Sequence, residues 1–250
     1  MTSNKTYKRI ALHIPHSSDR LPKECQWSGD IRKVLDRWTD WHTDILFASS
    51  RDEVMTFVYP WSRMYCDIER LVDDPMEDKG QGIAYRSIDG CIRELNKASL
   101  DEIYQSYWDA RQMFYDIAKE QDTLIIDCHS FPSDLAPEID FCIGFNDDDT
   151  RPSLEIIELV VEHFRLAGYN VGVNEPYSNS VCASMEPDKA RTQTIMIEVN
   201  KSVYLLPDGI TPGLGFDKIK QLIDNLYGKL LGSCCLQIKV SKINSRKRTE

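Results

Sequence analysis

Runs of apolar residues alternate along the chain with stretches in which apolar positions recur every three or four residues, and this alternation predicts a layered α/β protein. The first run, Ile10-Ala11-Leu12, leads into His13-Ile14-Pro15-His16-Ser17-Ser18. Its mid-chain counterpart, Thr123-Leu124-Ile125-Ile126, leads into Asp127-Cys128-His129-Ser130. In both, an apolar strand is expected to stop at a histidine followed by serine. Residues 55–59, 139–144, 169–173 and 194–200 read as further strands, the last a central one because Ile195-Met196-Ile197 is apolar on both faces. Helical spacing is predicted over residues 100–119, through Ile103, Tyr107, Met113 or Phe114, and Ile117. It returns over 152–167, with Pro152 in the first turn, and over 216–231. One more helix is expected through Trp38, Trp41, Ile45 and Leu46, with Thr39 and Asp40 at its beginning or one turn inside. Trp38 and Trp41 read as core residues of that helix.

Two such histidine-bearing strand ends can share one metal ion, because open α/β sheets place ligands at the carboxyl ends of their strands. The third strand end of interest carries Glu198, directly after an apolar run. A carboxylate there has to be paired, metal-linked or catalytic, since burying it without a partner is costly. His16, His129 and Glu198 together make a minimum set for metal-assisted hydrolysis: ligands that leave a position for water, and a base that takes the water proton. The stretch from Trp61 to Arg70 adds Arg63 and Arg70 with acidic neighbours Asp67 and Glu69. Arginine forks can bind a carboxylated substrate or polarise a carbonyl. The same four residues could equally form a solvated salt-bridge cluster.

Composition narrows the function classes. The chain has 250 residues, 42% hydrophobic and 28% charged, which fits one large globular domain over 1–250. Apolar windows are too short for a membrane span, and no apolar signal core follows Met1, so a cytoplasmic protein with no membrane partner is expected. A formal charge of -10 argues against a nucleic-acid partner. The one basic cluster, residues 239–250, is expected as a flexible tail. Eight cysteines without CxxC spacing read as free thiols.

Over residues 10–206 the motifs resemble, in order, those of the N-formylglutamate amidohydrolase family. His13 to Ser18 is similar to its opening Pro-His-Ser-Gly element, and Thr39 to Asp44 to its Asp-rich helix start. The arginine block Ser62 to Arg70 and the glycine loop Gly80 to Tyr85 follow. Asp127-Cys128-His129-Ser130, Asn174-Glu175-Pro176-Tyr177-Ser178 and Met196-Ile197-Glu198-Val199-Asn200 complete the series. The resemblance implies a three-layer α/β fold, a central mixed sheet flanked by helices, of the zinc-carboxypeptidase-like kind. It implies an amidohydrolase with one zinc ion that releases formate from N-formylglutamate, a small N-acylated acidic amino acid. His16 and His129 would be metal ligands, with Asp40 preferred as the third over Asp44 and Asp19. Glu198 would be the general base. Arg63 would stabilise the oxyanion, and Arg63 and Arg70, oriented by Asp67, would hold the substrate. Two departures stand out: Asn179 replaces the family's glycine after Pro-Tyr-Ser, and the helix around Tyr107-Trp108-Asp109 lacks a histidine. They leave open a hydrolase for another acylated or peptide substrate, or a non-catalytic dicarboxylate binder.

Overall fold

A computed structural model describes residues 7–119, 122–180 and 193–232. The apolar runs become strands β1 (Arg9–Ile14), β2 (Val54–Val58), β5 (Thr123–Phe131), β6 (Phe141–Gly144), β7 (Val171–Val173) and β8 (Gln193–Asn200). A two-residue hairpin, β3 (Ser87–Ile88) and β4 (Cys91–Ile92), lies apart from them. The six strands form one mixed sheet in the order β2-β1-β5-β8-β6-β7, all neighbours parallel except β6 against β8. The helices are α1 (Ile31–Trp38), α2 (Thr43–Leu46), α3 (Lys97–Ala118), α4 (Leu154–Leu166) and α5 (Phe216–Leu230).

Both faces of the sheet are covered, which is why its central strands read as unbroken apolar runs. On one face Ile10, Leu12 and Ile14 of β1, Leu124, Ile126 and Cys128 of β5, and Ile195, Ile197 and Val199 of β8 share a core with α2, α4 and α5. On the other, Ala11 and Ile125 pack with Ile103, Tyr107 and Phe114 of α3. Side chains two apart on a strand share a face. His13 therefore joins Ala11, Asp127 and His129 join Ile125, and Glu198 joins Met196. Register then sets them side by side, His13 opposite Asp127 and His129 opposite Glu198.

Three local expectations need correction. The helix foreseen through Trp38 to Leu46 is broken: Thr39 is extended (φ -74, ψ 134) and His42 is left-handed (φ 61). The Asp40 amide leaves the helical ladder to donate to the His16 carbonyl at 2.9 Å, so a tertiary bond overrides the local periodicity. Strand β5 does not stop at His129 but runs to Phe131, because pairing with β8 continues to Phe131 opposite Asn200. Pro152 stands ahead of α4 rather than in its first turn, with Ser153 at the N-cap. The basic segment 239–250 and Cys182, Cys234 and Cys235 lie outside the described residues. Cys25, Cys66, Cys91, Cys128 and Cys142 are free and buried, and no helix among the described residues is long and apolar enough to cross a membrane.

The α4–α5 contact carries one acid-sensitive joint. His163 Nε2 donates to the Leu222 carbonyl at 2.9 Å and Nδ1 accepts from Lys229 Nζ at 2.9 Å, an arrangement that needs the neutral ring. Burial, aided by the Lys229 charge and opposed by the Leu222 carbonyl, holds this imidazole below its ordinary range. Its folded value is depressed below an unfolded value of about 6.5, so the unfolded chain takes the proton more readily. The stability contributed by the neutral ring is complete above the unfolded value and is lost as pH falls below it. The drop in Tm between about pH 7.5 and 5.5 should be smaller in His163→Gln than in the wild type; an equal drop would show that this ring is not the neutral joint.

Candidate active site

At the carboxyl ends of β1, β5 and β8, on the face shared with α3, the sheet opens into a cleft of about 420 Å³, a volume that suits a small molecule. Its floor is the row of polar side chains that strand alternation and register bring together, and loops supply the walls. The turn after β1 brings in His16, and the Asp40 amide bonded to the His16 carbonyl carries the Asp40 side chain to the same point. Residues 62–70 add Arg63, Asp67, Glu69 and Arg70, anchored to the sequence-distant Ile83 by the Asp67 amide, which donates to its carbonyl at 2.8 Å.

His16 and His129 each turn one nitrogen toward Glu69 and set the other on a buried aspartate. His16 Nε2 donates to Asp67 Oδ1 at 2.9 Å, which leaves Nδ1 with a bare lone pair. That atom is buried and makes no hydrogen bond among the described residues; Glu69 Oε2 stands 3.6 Å away and Asp40 Oδ2 3.9 Å. His129 has Nδ1 3.1 Å from Asp40 Oδ2, while Nε2 lies 3.1 Å from both Glu69 Oε2 and Asp127 Oδ1. Burial would lower the His129 ring, but Glu69, Asp127 and Asp40 outweigh it and hold the ring well above its usual range. Donor atoms of His16, Glu69 and His129 all fall within 4.8 Å of one another, so these residues can hold a metal ion.

Asp67 is completely buried, and burial alone would raise its carboxyl. Arg63, His16 and Arg70 prevail and keep it well below the usual carboxylate range. Arg63 Nη2 donates to Asp67 Oδ2 at 2.8 Å, Arg70 Nε lies 3.5 Å from that oxygen, and Arg70 Nη2 meets the Tyr85 hydroxyl at 3.1 Å. The two arginines are thus held by one carboxylate while both still line the cleft. Glu198 is the opposite case. Its Oε2 is buried without a hydrogen-bond partner among the described residues, and burial, reinforced by Asp40 and Glu69 and opposed by His129 and Arg63, pushes the group up to about 8. A carboxyl with a raised pKa, facing a cleft, is a candidate proton acceptor.

All of His16, Asp40, Arg63, Asp67, Arg70, His129 and Glu198 meet at this one place. Of the other carboxylates considered, Asp19 is tied to Arg32 at 2.8 Å on the surface, and Asp44 is not part of the cleft wall. The sequence reading left out Glu69, Asp127 and His13 as site residues. The period-2 pattern could have found Asp127, two residues before His129 and hence on the same face; nothing local marks Glu69 apart from its arginine neighbours. Trp38, read as core, packs against a small apolar cluster with Leu35, Met64 and Tyr85 and also lines the cleft, where it donates to Asp89 at 2.6 Å. Asn179 has φ 70 in the cleft wall, a left-handed backbone that glycine adopts freely and asparagine tolerates best among the rest.

Comparison with known proteins agrees with this architecture. The structure of N-formylglutamate amidohydrolase from Ralstonia eutropha JMP134 superimposes with a TM-score of 0.73 at 19% identity, over 92% of this chain and 95% of that one. A gene product of Agrobacterium tumefaciens gives a TM-score of 0.67 at 17% identity, over 91% and 92% of the two chains. No curated protein matches the chain significantly. At these identities the two structures share the fold, a mixed sheet flanked by helices. The family model for N-formylglutamate amidohydrolase, however, matches residues 9–205, from the start of β1 past the end of β8. The chain belongs to the N-formylglutamate amidohydrolase family.

Proposed function

We propose that this amidohydrolase is metal-dependent and cleaves the formyl amide of N-formyl-L-glutamate to formate and glutamate. The observation that carries the reading is the pairing of two unsatisfied buried atoms in one cleft: His16 Nδ1, a bare ligand lone pair, and Glu198 Oε2, a bare acceptor. The donor chemistry suits zinc, which favours imidazole and carboxylate ligands. His16 Nδ1, His129 and Glu69 would hold the ion. Asp40, the carboxylate expected from sequence, would orient His129 through Nδ1 as Asp67 orients His16, the arrangement usual around ligating imidazoles. A bound ion supplies Lewis-acid polarisation of the scissile carbonyl and acidifies water.

The protein's own groups do the rest. Glu198, kept basic by burial among carboxylates, takes the proton of the attacking water and can return it to the leaving amine. Arg63, fixed by Asp67, offers its guanidinium to the oxyanion and, with Arg70, to the carboxylates of the substrate. Five described cysteines, all free and buried, fit a reducing cytoplasm, and an acidic chain acting on a free amino-acid derivative calls for no nucleic-acid partner.

The experiment is formate release from N-formyl-L-glutamate by purified protein, with zinc added and with a chelator as control. Release that the chelator stops is the expected result. Absence of release from zinc-loaded protein would reject this substrate and move the assay to glutamate and aspartate bearing larger acyl groups.

A further inference from the structure

We infer that the centre takes a second divalent cation, held by His13, Asp127 and Glu69, next to the ion of the proposed function and resting on that reading. Both oxygens of Glu69 approach His129 Nε2, at 3.2 and 3.1 Å, and each has a further imidazole of its own. Oε2 is 3.6 Å from His16 Nδ1, whereas Oε1 is 3.5 Å from His13 Nδ1. A carboxylate so placed can bridge two ions, one per oxygen. Asp127 supplies the other side of the second position: its Oδ1 lies 3.1 Å from both His13 Nδ1 and His129 Nε2, while its Oδ2 is occupied by the Ser180 hydroxyl at 3.0 Å. Donor atoms of His13, Glu69 and Asp127 fall within 4.8 Å of one another, as do those of the first group, and Glu69 belongs to both.

The surroundings favour a cation here. His13 is fully buried, its ring stacked on Phe57 at 5.8 Å and tilted against Phe114 at 4.5 Å, so its nitrogen is aimed by packing rather than free to turn. Among the described residues, the ion pairs of Glu69 and Asp127 are with imidazoles alone; no arginine or lysine neutralises them as Arg63 neutralises Asp67. One nitrogen and two carboxylates form a donor set for a first-row divalent ion such as zinc or manganese. Paired ions with a shared carboxylate are a recurrent hydrolytic arrangement, in which the second ion helps clamp attacking and leaving atoms.

Metal stoichiometry tests this. Metal-free full-length protein is titrated with zinc sulfate by calorimetry, and desalted protein is assayed for zinc. The wild type should hold two ions per chain and His13→Gln one, with formate release reduced in the variant but not abolished. In parallel, manganese(II) is added to the wild type and followed by electron paramagnetic resonance. The second equivalent should replace the single-ion spectrum with a spin-coupled one, a readout that does not depend on whether His13→Gln folds. Saturation of the wild type at one ion, with a single-ion manganese spectrum throughout and formate still released, overturns the second position alone. No bound metal and no release would overturn the proposed function with it.

Discussion

Glu198→Gln should lower kcat for formate release by about 1,000-fold, within the range of about 10² to 10⁴ that a positioned general base contributes. Zinc content and KM should stay near wild type. The amide keeps the size and shape of the carboxyl but cannot accept a proton. Because Oε2 has no hydrogen-bond partner, its replacement breaks no described contact at that atom. Arg63 and Arg70, the residues proposed to bind substrate, stay on Asp67 in this variant. Zinc content, kcat and melting temperature are therefore measured on one preparation. A variant with normal turnover would remove Glu198 from the chemistry, and one that had lost its metal would move it into the ligand set.

His129→Ala should remove both turnover and tight zinc binding. It should also cost the metal-free protein stability, for a separate reason. His129 is the shared partner of Asp40, Glu69 and Asp127, each at 3.1 Å. Deleting the ring leaves those buried carboxylates with less compensation, and breaking a buried pair by removing one member costs about 3–5 kcal/mol. Asp40→Asn is the contrast. It keeps a polar group near Nδ1, so zinc affinity should fall by about 10- to 100-fold, as for other residues that orient a ligand, with activity restored by excess zinc. Activity in His129→Ala, or a complete loss of zinc in Asp40→Asn, would reassign the ligands; the second result would put Asp40 in the position proposed for Glu69.

Some of this is legible in the sequence alone. The strand runs, the long helix α3 and the helix α4 follow from periodicity, because a side chain's face depends only on its own backbone. Local pattern also singled out His16, His129 and Glu198, since a polar group in an apolar run has to be satisfied by something. The break between α1 and α2 escaped for the opposite reason. Trp38, Trp41, Ile45 and Leu46 keep helical spacing, and only the bond from the Asp40 amide to the His16 carbonyl shows why the chain departs from it.

What the sequence by itself determined is therefore which residues share a face and which polar groups interrupt apolar strands. What the tertiary structure decided is who stands opposite whom. His13 and Asp127 are 114 positions apart, and His129 and Glu69 are 60 apart. Their meeting depends on the strand order β1-β5-β8 and its register, which are set by burial on both faces of the sheet and by loop contacts such as Asp67 to Ile83. Periodicity carries no information about partners at such separations. Glu69, read as one member of a charged stretch, becomes the carboxylate between His13, His16 and His129 only because the folded chain brings all three imidazoles to it.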